Sequence, residues 1–266
     1  MLVVKIGGAA GIEADHFCED VANRWRDGEH IVCVHGGSDE TSRLAEKLEH
    51  PPRFVTSVSG HTSRLTDRQT LEIFLMATSL INRKLVEAFQ SRGINAIGLS
   101  GLDGRLITAR RKEAIRILDQ GRQRVIRDDW TGTPEAVNTS LLSMLLNSGY
   151  LPVIAPVAIS SVGEAVNVDA DRLAALVAGA LNAQTLVLLT NVPGVLRSFP
   201  DESTLIRRLS RSEPGASDQF VTGRMRKKLL GASEALSSGV ETVVIGDARR
   251  LHPLSAALAG EGTVIQ

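Results

Sequence analysis

Short apolar runs recur along the chain, separated by longer stretches with helical periodicity. The runs lack the alternation of apolar and polar residues expected of a half-exposed strand, so they predict parallel strands covered on both faces. Strand and helix in turn require right-handed crossovers, which predicts an α/β fold: a three-layer αβα open sandwich with a mainly parallel central sheet. The runs lie at residues 2–6, 31–34, 94–99, 151–155, 185–190 and 242–246, and the helical patterns at 13–26, 39–48, 67–91, 134–147, 169–181 and 224–238.

Three stretches interrupt this rhythm. Residues 53–64 and 105–127 carry β-branched residues and turn signals, which predict hairpins laid over one end of the sheet. Residues 197–221 are polar with two prolines and predict an irregular loop. The turn NSGYLP predicts a soft boundary near residue 150, between a first half, 1–150, and a second half, 151–266, of a single domain.

Composition narrows the class of protein. The formal net charge is zero and 43% of residues are hydrophobic, so nothing global points to nucleic acid or membrane. The cysteines, Cys18 and Cys33, favour neither a disulfide framework nor a zinc site. No apolar stretch is long enough to cross a bilayer and strand-like residues begin at residue 2, which predicts a soluble cytoplasmic protein.

Glycine pairs follow the first two apolar runs, in KIGG and VHGGS. Ligands of open α/β sheets bind beyond the carboxyl ends of strands, where these pairs are predicted to lie. Glycines there either close tight turns or let backbone N–H groups approach an anion. Two pairs at equivalent places favour a phosphate site between them. His35, which precedes the second pair, is interpreted as a structural residue at a strand end.

Charged residues in structured segments point to the same chemistry. Lys5 interrupts a strand predicted to be buried, where an ammonium group needs a carboxylate or a ligand phosphate unless it snorkels to the sheet end. In NVDAD, Asp169 or Asp171 caps the next helix, or both carboxylates hold lysines or an amino-acid ligand. TGRMRKK opens another helix with cations, against the helix dipole, as expected where phosphate is attracted.

The motifs KIGG, VHGGS, SRLTD, NVDAD, LTNVPGVL and TGRMRKK occur in this order, and with them the chain resembles the amino acid kinase family along its full length. It looks closest to the acetylglutamate kinase branch. Within it, HPPRFVTSVSGHTSRLTDRQTLEIF and GLSGLDGRL are similar to kinases of aminoadipate or glutamate carried on a small acidic protein of the LysW type. The resemblance implies that ATP, with Mg²⁺, phosphorylates the side-chain carboxylate of such a substrate.

The resemblance also implies roles for matching residues. Lys5 and Lys228 would stabilise the transferring phosphoryl group from opposite sides, with Asp171 holding both lysines. A carboxylate is already a nucleophile, so the chemistry requires positioning and charge neutralisation and no general base. The implied catalytic residues are Lys5, Lys228, Asp171 and Gly8; those for substrate binding are Gly36, Gly37, Arg64 and Asn167; those for the nucleotide are Gly7, Thr190, Asn191 and Lys227.

Some implied details follow from single positions. Gly8 and Gly37 would donate backbone N–H bonds to the phosphoryl group, and Arg64 would fork onto the α-carboxylate of the substrate. The nucleotide would lie over the second half, near Thr190 and the loop 197–223.

Two motifs depart from the family pattern. The usual TDVPGV has an aspartate where this chain has Asn191, so a carboxylate near the nucleotide is missing. The usual TGGMIPK becomes TGRMRKK, which adds Arg224, Arg226 and Lys227 before Lys228. The sequence therefore leaves open whether Lys227 or Lys228 faces the phosphates.

Several alternatives stay open. Basic residues outnumber acidic ones in 103–128, which form either a solvated surface or a field that steers an acidic carrier toward Arg64. The acceptor is carrier-linked aminoadipate, carrier-linked glutamate or both, or alternatively free N-acetylglutamate. A third hypothesis, a non-catalytic amino-acid or nucleotide sensor, is disfavoured by the intact Lys5, Asp171 and Lys228. Apolar residues on more than one face of 67–91 permit a homodimer, which the resemblance implies.

Overall fold

Strands and helices alternate along most of the chain. The structure, a computed structural model, describes residues 1–8, 14–58, 60, 62–119, 122–210 and 223–266. The strands are β1 (Leu2–Ile6), β2 (Ile31–His35), β3 (Phe54–Ser57), β4 (Thr62–Arg64), β5 (Ala96–Ser100), β6 (Ile107–Arg111), β7 (Ile115–Asp119), β8 (Arg122–Ile126), β9 (Thr131–Val137), β10 (Leu151–Ala155), β11 (Val157–Ser160), β12 (Ala165–Val168), β13 (Thr185–Thr190), β14 (Arg208–Leu209), β15 (Thr242–Asp247) and β16 (Gly262–Ile265). The helices are α1 (Ala14–Arg26), α2 (Ser38–Lys47), α3 (Arg68–Gln90), α4 (Thr139–Asn147), α5 (Ala170–Ala180), α6 (Gly223–Ser237) and α7 (Pro253–Leu258).

The central sheet has the strand order β14-β16-β15-β13-β1-β2-β10-β5. Strands from β15 to β5 run parallel, and β16 pairs with β15 in the antiparallel sense. The predicted boundary near residue 150 falls at the turn before β10. Because β10 inserts between β2 and β5, residues on both sides of that boundary build one sheet.

Helices cover both faces of this sheet. On one face, Val4 and Cys33 pack with apolar residues of α1, α3 and α7. On the other face, Val3 and Val34 pack with residues of α4, α5 and α6. The predicted three-layer αβα sandwich with a mainly parallel sheet is confirmed. Within the described residues, none of the helices combines the length and the apolar character needed to span a membrane.

The hairpin predictions are right in part. Strands β3 and β4 pair with each other, β7 pairs with β8, and together they form the sheet β4-β3-β7-β8. The first strand of 105–127 does not belong to that hairpin, because β6 closes a small barrel with β9, β11 and β12. Residues 59, 61, 120 and 121, which fall within the two predicted hairpins, lie outside the described residues.

The predicted helix at 134–147 begins too early. Residues 131–137 form β9, antiparallel to β6, and helix α4 begins only after Asn138. The Asn138 side chain accepts a hydrogen bond from the Leu141 N–H at 3.2 Å, which caps the helix. Pro134, the first residue of the predicted helix, lies instead in this strand beside an irregular register step.

The predicted loop at 197–221 is also partly structured. A 3₁₀ turn occupies Glu202–Thr204, and β14 pairs with β16 at the edge of the central sheet. The prediction of an irregular loop is therefore wrong for β14. Residues 211–222 lie outside the described residues.

Candidate active site

The two glycine pairs meet at the carboxyl ends of neighbouring strands. Strands β1 and β2 are paired in register from Leu2–Ile31 to Ile6–His35, so Gly7-Gly8 and Gly36-Gly37 leave the sheet side by side. A methyl group on Gly8 would lie 2.4 Å from the Gly37 nitrogen and 2.7 Å from the Gly36 carbonyl carbon. Only glycine fits such close backbone contact.

The glycine amides divide into two kinds. The Gly7 N–H donates to the Leu189 carbonyl at 3.0 Å, and the Gly36 N–H donates to the Ile6 carbonyl at 2.9 Å. In the part of the chain that the structure describes, no hydrogen bond uses the N–H of Gly8 or Gly37. Two neighbouring amides are thus left for a ligand, which suits an anion.

A buried lysine–aspartate–lysine set lies at the end of β1. One carboxylate oxygen of Asp171 is 2.8 Å from Lys5 Nζ, and the other is 2.9 Å from Lys228 Nζ. The three residues are only 5%, 7% and 8% exposed, in the order Lys5, Asp171, Lys228. We refer to them below as the lysine–aspartate set.

Local structure explains why Asp171 points at the lysines. Asp169 is the cap of α5, accepting from the N–H groups of Asp171 at 3.0 Å and Arg172 at 3.2 Å. The side chain of Asp171 does not cap the helix, and its carboxylate pairs with Lys5 and Lys228 instead. Gly231 allows α6 to approach, because a methyl there would lie 3.2 Å from the Asp171 carbonyl group. Arg172 and Glu234 also join α5 to α6 by a two-pronged ion pair.

The lysine–aspartate set is electrically unbalanced. Burial alone would raise the pKa of Asp171, but Lys228 and Lys5 hold this pKa well below its usual range. Burial lowers the pKa of Lys5, yet attraction to Asp171 outweighs burial and the pKa is raised. For Lys228, burial and the like charge of Lys5 prevail over Asp171, and its pKa is lowered. Asp171 is the carboxylate in contact with both ammonium groups, and Asp169 attracts them without contact. The contacting set therefore has more positive than negative charge, which favours an additional anion.

The structure distinguishes the two adjacent lysines of α6. Lys228 is buried and bonded to both oxygens of Asp171, at 3.1 and 2.9 Å. Lys227 is half-buried and Arg226 is exposed. Lys228 is therefore the lysine of α6 that joins Asp171 and Lys5 in the buried set. The side chain of Arg224 lies outside what the structure describes.

Arg64 and Asn167 lie on the first-half side of the site. Nη2 of Arg64 donates to the Ser38 carbonyl at 2.9 Å and to Ser42 Oγ at 2.8 Å, beside the N-terminus of α2. Asn167 is half-buried in β12, and its Nδ2 donates to Thr66 Oγ1 at 3.1 Å. The structure therefore ties Arg64 to the helix that follows Gly37.

A polar cluster that the sequence prediction missed orients Asn167. The buried carboxylate of Asp129 accepts from the Thr66 N–H at 3.3 Å and from the Thr131 hydroxyl. The backbone N–H of Trp130 donates to the Thr66 carbonyl at 2.6 Å, and the Trp130 carbonyl accepts from the backbone N–H of Asn167 at 2.9 Å. The available signal was DDW, two acids and an aromatic residue directly after a basic stretch.

The predicted nucleotide residues lie at the carboxyl end of β13. Thr190 is buried, and its carbonyl accepts from the Ala248 N–H at 2.7 Å. Asn191 is exposed just beyond. Asp247 on β15 is in register with Thr190 and brings a carboxylate to this edge, but Arg249 pairs with it at 2.6 and 2.8 Å. Asp247 therefore does not simply replace the acid that Asn191 lacks.

The glycine geometry gives a first prediction. Gly8→Ala is expected to lower kcat/KM by about 100-fold or more, because its methyl would meet unyielding backbone and a displacement near 1 Å is that costly. A methyl on Gly37 would instead meet the Thr78 methyl group at 2.8 Å. Adding Thr78→Ser to Gly37→Ala removes that contact and should restore most of the activity. Steady-state kinetics of the three variants test this; an active Gly8→Ala enzyme would contradict it.

His35 gives a prediction about acid sensitivity. Burial lowers the pKa of His35 from 6.5 to about 4. Between these pH values the unfolded chain binds a proton that the folded protein excludes. The free energy of unfolding should therefore fall by up to about 3 kcal/mol as the pH drops from 6.5 to 4. Urea unfolding across this range, compared with His35→Asn, measures the contribution; parallel curves for both proteins would contradict the assignment.

A family model and two relatives of known name match most or all of this chain. A model described as the amino acid kinase family matches residues 1–247. A [LysW]-aminoadipate kinase of Deinococcus radiodurans is 55% identical over 266 residues, covering 100% of this chain and 91% of that protein. A [LysW]-aminoadipate kinase of Thermus thermophilus is 50% identical over 269 residues and is covered completely, as is this chain.

The likeness extends to solved structures. N-acetylglutamate synthase from Neisseria gonorrhoeae, solved with coenzyme A and N-acetyl-glutamate, is 25% identical with a TM-score of 0.80 over 99% of this chain and 58% of that one. The chain belongs to the amino acid kinase family, so the resemblance predicted from the motifs is confirmed.

Proposed function

We propose that this protein transfers the γ-phosphoryl group of ATP to the side-chain carboxylate of 2-aminoadipate carried on a small acidic protein of the LysW type, in lysine biosynthesis. The observation that carries the proposal is the buried, positively unbalanced lysine–aspartate set beside the two unused amides of Gly8 and Gly37. The relatives that are 55% and 50% identical bear the name of this activity and supply the acceptor.

The proposed reaction follows from the charges at the site. A carboxylate oxygen attacks the γ-phosphorus, the bond to the β-phosphate oxygen breaks, and ADP leaves. The γ-phosphoryl oxygens would accept from the amides of Gly8 and Gly37 and from the ammonium groups of Lys5 and Lys228. Asp171 would hold both lysines apart and in place. These groups lower the repulsion between two anions, which is the main obstacle to transfer.

Mg²⁺ would reach the site as part of the nucleotide complex. Among the described residues, no cluster of three His, Cys, Asp or Glu side chains could hold a metal ion. Asp171 is engaged by two lysines and Asp169 caps α5. Phosphate oxygens are therefore the proposed ligands, and the metal would neutralise phosphate charge there.

The two halves of the chain would have separate tasks. Residues 1–150 would bind the acceptor, through Gly36, Gly37 and Arg64, with Asn167 reaching over from β12. Residues 151–266 would bind the nucleotide, near Thr190, Asn191 and Lys227, with Gly7 shaping the loop at the end of β1. The transferring phosphoryl group would then lie where the halves meet.

Arg64 gives a prediction about acceptor binding. Its Nη2 donates to Ser38 and Ser42 beside the N-terminus of α2, which places a guanidinium group close to Gly37, and the planar fork of a guanidinium matches a carboxylate. Arg64→Lys should raise KM for the acceptor about tenfold or more, with a smaller change in kcat and in KM for ATP. Initial-rate kinetics with each substrate varied in turn make the measurement. An unchanged acceptor KM would remove Arg64 from the binding site.

A basic surface supports a carrier-linked acceptor. Strands β7 and β8 expose several arginines. Two further arginines stack on Trp130, with Arg111 at 3.6 Å and Arg68 at 4.8 Å from its ring centre. In a chain of zero net charge, this local excess would attract an acidic carrier toward Arg64. The exposed arginines of this sheet are Arg53, Arg116, Arg122, Arg124 and Arg127.

The acceptor is tested by offering three substrates. ATP consumption should be fast with carrier-linked aminoadipate and slower with carrier-linked glutamate, since the two differ by a methylene group worth about 1–3 kcal/mol. Free N-acetylglutamate should be turned over poorly at low ionic strength. Efficient turnover of N-acetylglutamate and none of the carrier-linked substrates would replace this proposal by an acetylglutamate kinase.

We also propose a homodimer formed across α3. Leu71, Ile73 and Phe74 of this helix are buried, whereas Met76 and Leu80 are 50% and 42% exposed on it. Burying these side chains in a symmetric contact would remove apolar surface from water. Sedimentation of the wild type and of Met76→Glu tests it. The cytoplasmic location stays a prediction.

A further inference from the structure

His35 is buried directly beneath the second glycine pair. It is the last residue of β2 and is 1% exposed, and its Nδ1 lies 2.8 Å from the carbonyl oxygen of Gly36. Its Nε2 lies 3.2 Å from Nδ2 of Asn82 on α3. The hydrogen bonds that the structure gives for His35 go to Gly36 and Asn82 and not to the lysine–aspartate set.

The partners of His35 determine its tautomer. The Gly36 carbonyl only accepts, so Nδ1 carries the hydrogen and donates it. Nε2 then has a lone pair, which accepts from Nδ2 of Asn82. The orientation of Asn82 is fixed in turn, because Nδ2 also donates to the Val153 carbonyl at 2.9 Å and Oδ1 accepts from Arg83 at 3.3 Å. Burial lowers the pKa of His35 to about 4, so the ring stays neutral in this form at neutral pH.

The Gly36 carbonyl shares a rigid plane with the Gly37 amide. In a trans peptide the C=O and the next N–H point in opposite directions, so a group that holds the carbonyl also aims the N–H. The bond from His35 therefore directs the Gly37 N–H away from α3, outward from the end of β2. Neither glycine has a Cβ, so no side chain of its own restricts rotation of this peptide, and the bond to its carbonyl oxygen becomes more important.

We propose that His35 is a positioning residue that locks the Gly36–Gly37 peptide, so that the Gly37 N–H is aimed at the transferring phosphoryl group. The inference rests on the proposed function for the identity of that group. Asn82 serves the lock by fixing the tautomer from α3. Gly98 makes room for it, because a methyl at Gly98 would lie 1.9 Å from Asn82 Oδ1.

Two substitutions separate the lock from mere packing. In His35→Asn, the side-chain Nδ2 takes the place of the histidine Nδ1 and can still donate to the Gly36 carbonyl. In His35→Gln, the amide reaches the place of Nε2, which keeps the contact with Asn82 and loses the one with Gly36. We expect His35→Asn to keep kcat within about fivefold of wild type and His35→Gln to lose about 100-fold, with KM for both substrates nearly unchanged, since one misdirected donor costs about that much.

A measurement that needs no acceptor completes the test. The ¹H–¹⁵N NMR signal of Gly37 should be single and similar in the wild type and His35→Asn, and doubled or broadened in His35→Gln as the peptide rotates. Thermal unfolding of all variants identifies any simple loss of fold. If His35→Gln does not fold, Asn82→Ala replaces it, with the same change of the Gly37 signal and a smaller fall in kcat.

The outcomes distinguish this inference from the proposed function. An unperturbed Gly37 signal together with wild-type kcat in His35→Gln would overturn the lock. Equal losses in both His35 variants would also overturn it, since packing alone would then explain them. If the wild type phosphorylates a different acceptor, the proposed substrate fails, while the order of the two variants with that acceptor and their NMR signals still decide the lock.

Discussion

Lys228→Ala is expected to lower kcat by about 100- to 1,000-fold and to change KM for ATP and acceptor by less than about threefold. The ammonium group is held by Asp171 at 2.9 Å. In the proposed reaction it would face charge that grows as the phosphoryl group moves, so its interaction would be strongest in the transition state. The fold should survive, because Asp171 keeps Lys5 as a partner at 2.8 Å. Steady-state kinetics and thermal unfolding of the variant make both measurements.

Lys227→Ala is the matched control for this prediction. It removes the same side chain one position earlier on α6, where the structure has a half-buried lysine. We expect its kcat to stay within about threefold of the wild type, since no contact with Asp171 is lost, and any effect of the proposed nucleotide contact to appear in KM for ATP. A wild-type kcat in Lys228→Ala, or equal losses in the two variants, would show that Lys228 does not contact the reacting group.

Asp171→Asn is expected to have the largest effect on stability. The substitution leaves two buried ammonium groups without a carboxylate, and breaking a buried charge pair in this way costs about 3–5 kcal/mol. Activity should be lost as well, because the lysines would no longer be held in place. Urea unfolding at pH 7 gives the change in free energy. Adding Lys228→Met removes one uncompensated charge and should recover part of the loss.

The pH dependence of this variant carries a definite sign. In the wild type the pKa of Asp171 is below that of the unfolded chain, so its stabilisation is complete above about pH 4 and is lost as the pH falls further. The unfolding free energies of wild type and Asp171→Asn should therefore converge in acid.

Asp169→Asn is the control: asparagine caps a helix as well as aspartate does, so stability should change by less than about 1 kcal/mol. Similar losses at both positions would contradict the assignment.

Much of the fold could be predicted from the sequence, because buried parallel strands appear as short, continuous apolar runs. The runs at 2–6, 151–155 and 185–190 coincide with β1, β10 and β13, and the remaining predicted strands differ by one or two residues. The errors arise where local signals compete. Thr133-Pro134 resembles a helix start, yet the pairing of β9 with β6 prevails and Asn138 becomes the cap. Strands β11 and β12 are short and pair outside the main sheet, so their sequences carry little pattern.

The candidate site was predictable to a different degree at each position. Lys5 and Asp171 stand out because a charge in an apolar strand and a second acid at a helix start both demand a partner. Lys227 and Lys228 could not be distinguished from the sequence, because the run of basic residues at this turn of α6 does not show which position is buried. Asn82 was missed although a lone amide in an apolar helix is a signal of buried hydrogen bonding. Its partner, His35, can be recognised only when α3 is placed against β2.

If the site phosphorylates a carboxylate on a carrier protein, the product is an acyl phosphate attached to that carrier, which can be detected directly. Carrier-linked aminoadipate should be incubated with ATP and the protein, and the carrier then analysed by intact-mass spectrometry with and without hydroxylamine. We expect the carrier to gain the mass of a phosphoryl group, hydroxylamine to convert this product to a hydroxamate, and Lys228→Ala to form almost none of either. A carrier of unchanged mass alongside rapid ATP consumption, or a product resistant to hydroxylamine, would contradict it.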